Sequence, residues 1–281
     1  MDDNLIGPFH EVPFAAARTT TTDTLRMAAR RHHIPVILEI DVTRAREAIG
    51  RARQQGGDDV SFTAWAVACV AKAAAEHRRV HAVRRGRRSL VLFADVDVSL
   101  AVYRRLTTPA GSDAGERLPM PYVVRRAQAK SVEQLSAEIR AAQTLPLTPG
   151  EQWLDPRGTA PAPWLLRLGF AAPHRLRRWL YWDRPLGDPW RVKQTMGTVM
   201  GSSVPLTSKS GGGAWAIPRG IHPLIVVLGA IGRRPGCVGE EIVSRDILSL
   251  TVLFDHDVVD GVPVALFLRR LTDLMEGAFG L

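Results

Sequence analysis

The sequence predicts an α/β protein, an α+β two-layer sandwich in which several strands share one mixed sheet packed against helices. Two stretches, Pro35–Val42 and Asp95–Val102, alternate apolar and polar residues with the period of half-buried strands. Two others, Pro223–Ile231 and Ile247–Phe254, are strongly apolar, which is typical of buried strands. The alanine-rich stretch Ser61–Glu76 is apolar nearly all round and therefore predicts a buried helix.

The remaining segments carry ordinary start and stop signals. Thr43 is a suitable N-cap, and Ser131-x-x-Gln134 is a capping box. The elements predicted here are a helix over 19–33 ended by Pro35, a helix from Thr43 to about Gln55, a loop over 104–119, a short strand over Pro121–Val124, a helix from Ser131 to about Gln143, a turn near Arg233–Gly236 that joins the two apolar strands, and a last helix with Pro263 in its first position.

The composition is that of a folded protein in a reducing compartment. The chain has 281 residues, of which 46% are hydrophobic and 23% charged. It shows no internal repeat and no clear linker, so we assign residues 1–281 to a single domain, with an extended N-terminal arm over 1–17. Cys69 and Cys237 are too few for a disulfide framework, and no secretory signal or spanning apolar stretch occurs. A cytoplasmic location is the simplest expectation.

The net charge of +9 permits a nucleic acid, an anionic membrane or an anionic small molecule as a partner. Arginine carries most of the charge, and Arg84–Arg88 holds four arginines around Gly86. We interpret this run as the tip of a hairpin between Val80–Val83 and Ser89–Ala94. Because no stacking aromatics or nucleic-acid module accompany it, a solvated or phosphate-facing surface is expected and no nucleic-acid partner.

Residues 144–190 differ from the rest of the chain. They hold eight prolines and all but two of the tryptophans. The stretches 164–168 and 175–182 have the composition of basic amphipathic helices. This insertion is either an element that docks a membrane surface or a protein partner, or an ordinary lid packed on the core.

The stretch Phe254–Gly261 is the strongest candidate for chemistry. A predicted strand runs into His256, Asp260 follows four residues later, and Gly261 turns the chain into the last helix. A single histidine is more often structural than catalytic. The polar neighbours and the usual role of imidazole as a base for a thiol or hydroxyl favour the catalytic interpretation.

Other candidate sites are weaker. The pair His77-x-x-x-His81 has a metal-compatible spacing on a helix, but it lacks the glutamate of the zinc protease signature and a third ligand. No metal site is therefore predicted. Cys69 falls in the predicted buried helix, where a thiol is a poor nucleophile.

The motif Phe254-Asp255-His256-Asp257-Val258-Val259-Asp260-Gly261 resembles the His-x-x-x-Asp-Gly signature of the catalytic domain of dihydrolipoyl acyltransferases, the acyltransferase components of 2-oxoacid dehydrogenase complexes. Chloramphenicol acetyltransferase shares this motif and fold. Three further segments are similar to family segments and occur in the same order: Ile34–Thr43, Phe93–Val102 and Gly197-Thr198-x-x-x-Ser202-Ser203. The resemblance covers roughly residues 15–143 and 195–277.

This resemblance implies a chloramphenicol acetyltransferase-like trimer that moves an acyl group between a thioester and an acceptor. It implies that His256 is the general base, that Ser202 donates to the oxyanion, and that Asp260 acts structurally through an ion pair with Arg18. It also implies that the histidine and the serine of one site come from different chains. Coenzyme A or a lipoyl group would carry the acyl group, and the basic surface would suit coenzyme A phosphates.

The chain departs from the complex-forming members because no lipoyl or subunit-binding domain precedes the catalytic domain. The expectation is therefore a stand-alone acyltransferase, with any lipoyl group supplied in trans and assembly beyond the trimer left open. The alternative is a non-catalytic relative that docks a partner or membrane through residues 144–190.

Overall fold

The structure is a computed structural model that describes residues 7–12, 17–56, 60–107, 113–144, 173–204 and 212–281. At 17–20, 104–107, 113–119, 174, 177, 180 and 181 this description covers the backbone alone. The strands are β1 (His33–Asp41), β2 (Val83–Arg85), β3 (Ser89–Val91), β4 (Val98–Thr107), β5 (Asp113–Val124), β6 (Val199–Ser203), β7 (Leu224–Val238) and β8 (Glu241–Asp255).

The helices of the described residues include five of 12 to 16 residues and several short ones before β6. They are α1 (Ala17–Ala28), α2 (Thr43–Gln54), α3 (Phe62–Glu76), α4 (Val132–Thr144), α5 (His174–Arg178), a π-helix (Trp179–Asp183), α6 (Arg184–Leu186), α7 (Pro189–Met196) and α8 (Gly261–Glu276), with 3-10 turns at Arg78–His81 and Ala127–Ala129.

Six of the described strands form one mixed sheet in the order β1-β8-β7-β6-β4-β5. The pairs β1/β8, β7/β8 and β4/β5 are antiparallel, whereas β6 is parallel to both β4 and β7. The strands β2 and β3 form a separate hairpin. The predicted fold class, a mixed sheet packed against helices, is confirmed.

The main core lies between one face of the sheet and α3, α4 and α8. Trp65 on α3 and Phe267 on α8 are fully buried in it. The strands contribute residues two apart, as the period of a strand requires, so that Val98, Leu100 and Val199 belong to this face. Residues on the opposite face, among them Ile225, Val227 and Leu253, form a smaller cluster with Met200, Val204 and Ala216.

The buried helix is confirmed as α3, and its start is capped because the Ser61 hydroxyl accepts a hydrogen bond from the Ala64 amide at 3.0 Å. The predicted capping box is also confirmed: the Ser131 amide donates to Gln134 Oε1, and the Gln134 amide donates to Ser131 Oγ.

The prediction of a loop over 104–119 was wrong at 104–107 and 113–119, because β4 runs to Thr107 and β5 begins at Asp113, whereas 108–112 lie outside the described residues. The prolines, glycine and serine of this stretch suggested a break. Pro119 and Pro121 fit within β5 because it is the edge strand of the sheet, where a missing N–H need not leave a partner unsatisfied.

The turn predicted near Arg233–Gly236 was also wrong. These residues continue β7, and the turn lies at Gly239 and Glu240, between β7 and β8. The parallel neighbour β6 pairs only with Leu224–Leu228, so the far half of β7 pairs with β8 alone among the described strands. Pro235 is tolerated there because no described strand pairs with the other edge of that half-strand.

Several predicted boundaries shift. Five corrections apply: the first helix ends at Ala28 rather than His33, Val42 rather than Thr43 is the N-cap of α2, the hairpin strands are Val83–Arg85 and Ser89–Val91, β4 begins at Val98 rather than Asp95, and the last helix begins at Gly261, two residues before Pro263. Thr43 begins α2 instead, and its amide and hydroxyl both donate to Asp41 Oδ1.

The single domain, the N-terminal arm over 1–17 and the insertion over 144–190 stay predictions. Residues 145–172 lie outside the described residues, and the predicted helix over 164–168 falls among them. The stretch predicted as a helix over 175–182 is α5 followed by the π-helix. No helix in the described ranges is long and apolar enough to cross a membrane.

Candidate active site

His256 lies in the turn between β8 and α8. Its backbone amide donates to the His32 carbonyl at 3.0 Å, just beyond the last β1–β8 pair, His33 with Asp255. The His256 side chain is 47% exposed, so its imidazole can meet a solute. The rigid end of a central strand therefore presents this side chain at the protein surface.

The turn is anchored by Asp255, a fully buried carboxylate that the sequence analysis did not single out. Its Oδ2 lies 3.0 Å from Arg31 Nη1. Its Oδ1 accepts a hydrogen bond from the Asp257 amide at 3.2 Å, and its own amide donates to the Pro223 carbonyl at 2.9 Å. Its position in the Phe254–Gly261 motif could have drawn attention to Asp255. Its partner Arg31 could not be found in this way, because it lies 224 residues away in the sequence.

Asp260 is the N-cap residue of α8, and its side chain is 81% exposed. Its Oδ1 lies 3.8 Å from His256 Nδ1, which is close enough for attraction but too far for a hydrogen bond. Arg18 belongs to the first turn of α1, and its side chain lies outside the described residues. The ion pair between Arg18 and Asp260 therefore stays a prediction.

A second histidine lies beside the turn. His32 Nδ1 and Asp257 Oδ1 are 2.9 Å apart, and the His32 side chain is 75% exposed. Sequence analysis did not connect these two residues, because only the pairing of β1 with β8 brings them together.

Ser202 lies on β6, within the sheet and partly buried. It pairs with Val227 on β7, whereas the last β4–β6 pair is Leu100 with Gly201. A narrow recess, partly open to solvent, borders Val199, Gly201 and Ser202 of β6 and is otherwise lined by α3, β4 and β7. Ser202 is therefore placed by a short strand beside an apolar recess.

Ser202 and His256 do not meet within one chain. Ser202 is level with Val227 on β7, and Val227 with Thr251 on β8. His256 lies five residues beyond Thr251 along β8 and its turn, which is roughly 16 Å along the strand direction and two strand spacings across the sheet. Within one chain the two side chains are therefore too far apart for a hydrogen bond, or for one small reacting group to touch both.

The family model of the 2-oxoacid dehydrogenases acyltransferase (catalytic domain) matches residues 7–146 and 221–280 of this chain. The chain belongs to this acyltransferase family. The lipoamide acyltransferase component of branched-chain alpha-keto acid dehydrogenase complex from Pseudomonas aeruginosa is 38% identical over 81 residues, and its Pseudomonas putida counterpart is 35% identical over 81 residues. Each match covers 28% of this chain and 19% of the relative, so about a fifth of the length of those proteins.

Solved acyltransferase cores share the fold at low sequence identity. The dihydrolipoamide acetyltransferase of Azotobacter vinelandii has a TM-score of 0.66 at 19% identity, covering 98% of this chain and 95% of that chain. The cubic core of the pyruvate dehydrogenase multienzyme complex gives 0.64 at 18% identity, with the same coverage of 98% and 95%. A truncated 2-oxoacid dehydrogenase core from Thermoplasma acidophilum gives 0.60 at 19% identity, covering 96% and 100%. The architecture of this chain is therefore that of the family's catalytic cores.

The pair His77 and His81, which the sequence analysis rejected as a metal site, is separated by the end of α3, and only His81 is fully buried. His81 is fully buried, and its Nδ1 lies 2.9 Å from Thr198 Oγ1 in a hydrogen bond. Burial, reinforced by the charges of Lys193 and Arg78, lowers the pKa of His81 to about 4. No group of three or more potential metal ligands occurs among the described residues.

A second buried histidine lies between the two halves of the candidate site. His222 Nε2 donates to the Met196 carbonyl at 3.0 Å, and the His222 carbonyl accepts from His33 Nε2 at 2.8 Å. Burial lowers the pKa of His222 to about 4 as well. Because both imidazoles are neutral near pH 7, they act as fixed hydrogen-bonding groups. Composition and spacing gave no sign of this role.

Proposed function

We propose that this chain transfers an acyl group between a thioester of coenzyme A or of a lipoyl group and an acceptor, at a site shared by two copies of the chain in a homotrimer. His256 of one copy is the general base, and Ser202 of the next copy is the oxyanion donor. The observation that carries the proposal is the separation of Ser202 and His256 within one chain, which a second copy would remove.

A solved relative supports the choice of residues. For the acetyltransferase of Azotobacter vinelandii, the roles of a serine, a histidine and an asparagine four residues after that histidine in its catalytic mechanism have been investigated. Here Ser202 and His256 supply the first two types, and Asp260 lies four residues after His256. The aspartate differs in charge from that asparagine, so we assign Asp260 the structural role and pair it with Arg18.

The chemistry follows from the side chains. The neutral imidazole of His256 accepts the proton of the attacking thiol, and the thiolate forms a bond to the thioester carbonyl carbon. The electron pair of the carbonyl moves to its oxygen, which the Ser202 hydroxyl stabilises by donating a hydrogen bond. When the carbonyl re-forms, the original carbon–sulfur bond breaks, and the leaving thiolate takes the proton from the imidazolium. The base is regenerated and no proton is gained or lost.

His256→Ala tests the proposal. We expect its kcat for acyl transfer from acetyl-coenzyme A to dihydrolipoamide to fall by about a thousandfold, at the scale of lost proton transfer. Size-exclusion chromatography should show an unchanged oligomer, and the matched control His10→Ala, in the exposed 7–12 segment, should keep full turnover. Wild-type turnover in His256→Ala would contradict the proposal.

A second candidate function, docking to an anionic membrane, rests on the surface of the residue 173–190 segment. Leu176 and Trp179 there are 48% and 53% exposed. The Arg85 guanidinium of the arginine-rich hairpin lies 4.7 Å above the ring centroid of Trp190, which is itself 48% exposed. Arginine together with exposed tryptophan and leucine suits the interface of an anionic bilayer.

Vesicle co-sedimentation separates this candidate from the first. If docking is the function, anionic phosphatidylglycerol vesicles should pull down the wild-type chain, and the double variant Leu176→Ser with Trp179→Ser should stay in the supernatant. Wild-type protein that stays in the supernatant with both anionic and neutral vesicles would contradict docking, whatever the turnover.

A further inference from the structure

The first residues of β6 pack unusually close to Asp97, which lies just before β4. The amides of Thr198 and Val199 both donate to the Asp97 carbonyl, at 3.1 and 3.2 Å. Gly197 has a φ of +70°, and a Cβ added to it would lie 2.5 Å from that carbonyl oxygen. Only glycine therefore permits this approach, and the backbone of Asp97 sets where β6 begins.

The carboxylate of Asp97 is held from three directions, and the residue is only 5% exposed. Its Oδ2 lies 3.0 Å from Arg125 Nη1 and 3.1 Å from Lys193 Nζ. Its Oδ1 accepts a hydrogen bond from the Arg126 amide at 2.9 Å. Lys193 belongs to α7, the helix that leads into Gly197, so the same carboxylate fixes both sides of the junction between α7 and β6.

The end of β6 has fewer restraints than its start. Only three residues pair with β4, the last of them Gly201 with Leu100. Ser202 lies one residue further on, and among the described strands it pairs with Val227 on β7 alone. A shift at Asp97 would be passed along a strand of five residues to the Ser202 hydroxyl.

We propose that Asp97 is a positioning residue for Ser202, acting through the start of β6 and the ion pairs with Arg125 and Lys193. This inference rests on the proposed function of Ser202 as the oxyanion donor. Asp97 touches no substrate in this role. It fixes the register of β6 so that the hydroxyl lies where negative charge develops, and a displacement well under the length of a bond would weaken that hydrogen bond.

The test is a double-mutant cycle of Asp97→Asn with Ser202→Ala, measured by steady-state acyl transfer. Asparagine keeps the shape and the acceptor for the Arg126 amide but loses the charge that faces Arg125 and Lys193. We expect Asp97→Asn alone to lower kcat about tenfold with little change in KM, because the misplaced group acts in the transition state. In the Ser202→Ala background the same substitution should change kcat less than about twofold.

The outcomes separate the inference from the proposed function. If Ser202→Ala keeps wild-type kcat, the oxyanion role and with it the proposed function fail. The other outcomes concern Asp97 alone, once Ser202→Ala has lowered kcat. If Asp97→Asn then lowers kcat by the same factor in wild type and in Ser202→Ala, or lowers it in neither, Asp97 does not act through Ser202. Either result overturns the inference.

A matched control and a second variant complete the design. Asp246→Asn removes a carboxylate that is 14% exposed and lies 3.1 Å from Arg46, on a part of β8 remote from Ser202, and it should leave kcat unchanged. If Asp97→Asn does not fold, Lys193→Gln replaces it, because this variant removes one of the two cations that contact Asp97. The double-mutant cycle of Lys193→Gln with Ser202→Ala is then judged by the same outcomes.

Discussion

The two halves of the candidate site are held in different ways. Ser202 lies on a strand inside the sheet, and a buried carboxylate, Asp97, clamps the start of that strand. His256 lies on a turn with its side chain 47% exposed, held by a backbone bond to His32 and by the buried Asp255 beneath it. Ser202 lies near the C-terminal end of β6 and His256 just beyond the C-terminal end of β8, and because these strands run in opposite directions the two residues lie towards opposite ends of the sheet. Under the proposed function, each half therefore works with the other half of a second copy.

The largest effect should come from mixing two inactive variants. His256→Ala and Ser202→Ala chains, co-expressed with different tags and purified as mixed trimers, should regain turnover. In a head-to-tail ring each mixed trimer contains one interface with both residues intact, so about one third of wild-type kcat is expected. Mixed trimers as inactive as either homotrimer would contradict a shared site, and two differently tagged His256→Ala chains are the control.

Acid should weaken the region between the halves. His81 and His222 have pKa values of about 4 against 6.5 for an unperturbed histidine, mainly because burial disfavours the charged ring. Below pH 6.5 these histidines become protonated in the unfolded chain but stay neutral in the native chain, which favours unfolding. Their contribution to the free energy of unfolding is therefore complete above pH 6.5 and is lost as the pH falls towards 4. The free energy of unfolding should fall by about 3 kcal/mol per histidine.

Urea unfolding between pH 7.5 and 4.5 measures this slope. The double variant His81→Gln with His222→Gln should be less stable than wild type at pH 7.5 and should depend less on pH. His10→Gln, in the exposed 7–12 segment, should keep the wild-type slope. An unchanged slope in the double variant would assign the acid sensitivity to other groups.

Asp255→Asn should loosen the histidine half alone. It leaves Arg31, which is 24% exposed, without its 3.0 Å carboxylate partner. We expect a loss of about 2 kcal/mol in the free energy of unfolding, less than for a fully buried pair because Arg31 retains some solvent. Asp257→Asn, at a carboxylate 32% exposed, is the control and should cost well under half as much. Equal losses of free energy in both variants would contradict a larger contribution from the buried Arg31–Asp255 pair.

The smallest effect concerns the predicted ion pair of Arg18 with Asp260. Because Asp260 is 81% exposed within one chain, a double-mutant cycle of Arg18→Met with Asp260→Asn should give a coupling of only about 0.5 kcal/mol. The free energy of unfolding of the four proteins measures it. If the two changes in the free energy of unfolding are strictly additive, Arg18 and Asp260 do not form an ion pair. A coupling several times larger than about 0.5 kcal/mol would instead indicate an ion pair that is buried in the assembled oligomer.

Local patterns predicted much of the fold because they report directly on which face of an element is buried. The alternation in Pro35–Val42 and the all-apolar Ser61–Glu76 became β1 and α3, and the capping box at Ser131 has the expected bonds. The failures at 104–119 and Arg233–Gly236 have one cause. Proline and glycine mark turns in most contexts, but an edge strand or an unpaired half-strand tolerates them, and only the sheet order shows which strands are at the edge.

The sequence by itself determined the family and was enough to predict His256, Asp260 and Ser202 as site residues, because short motifs are readable without a fold. Only the tertiary structure decided what holds them. Asp97 meets Lys193, and Arg31 meets Asp255, across large separations along the chain, and no local pattern records such contacts. The distance between Ser202 and His256 likewise depends on strand register, which packing of the whole sheet determines.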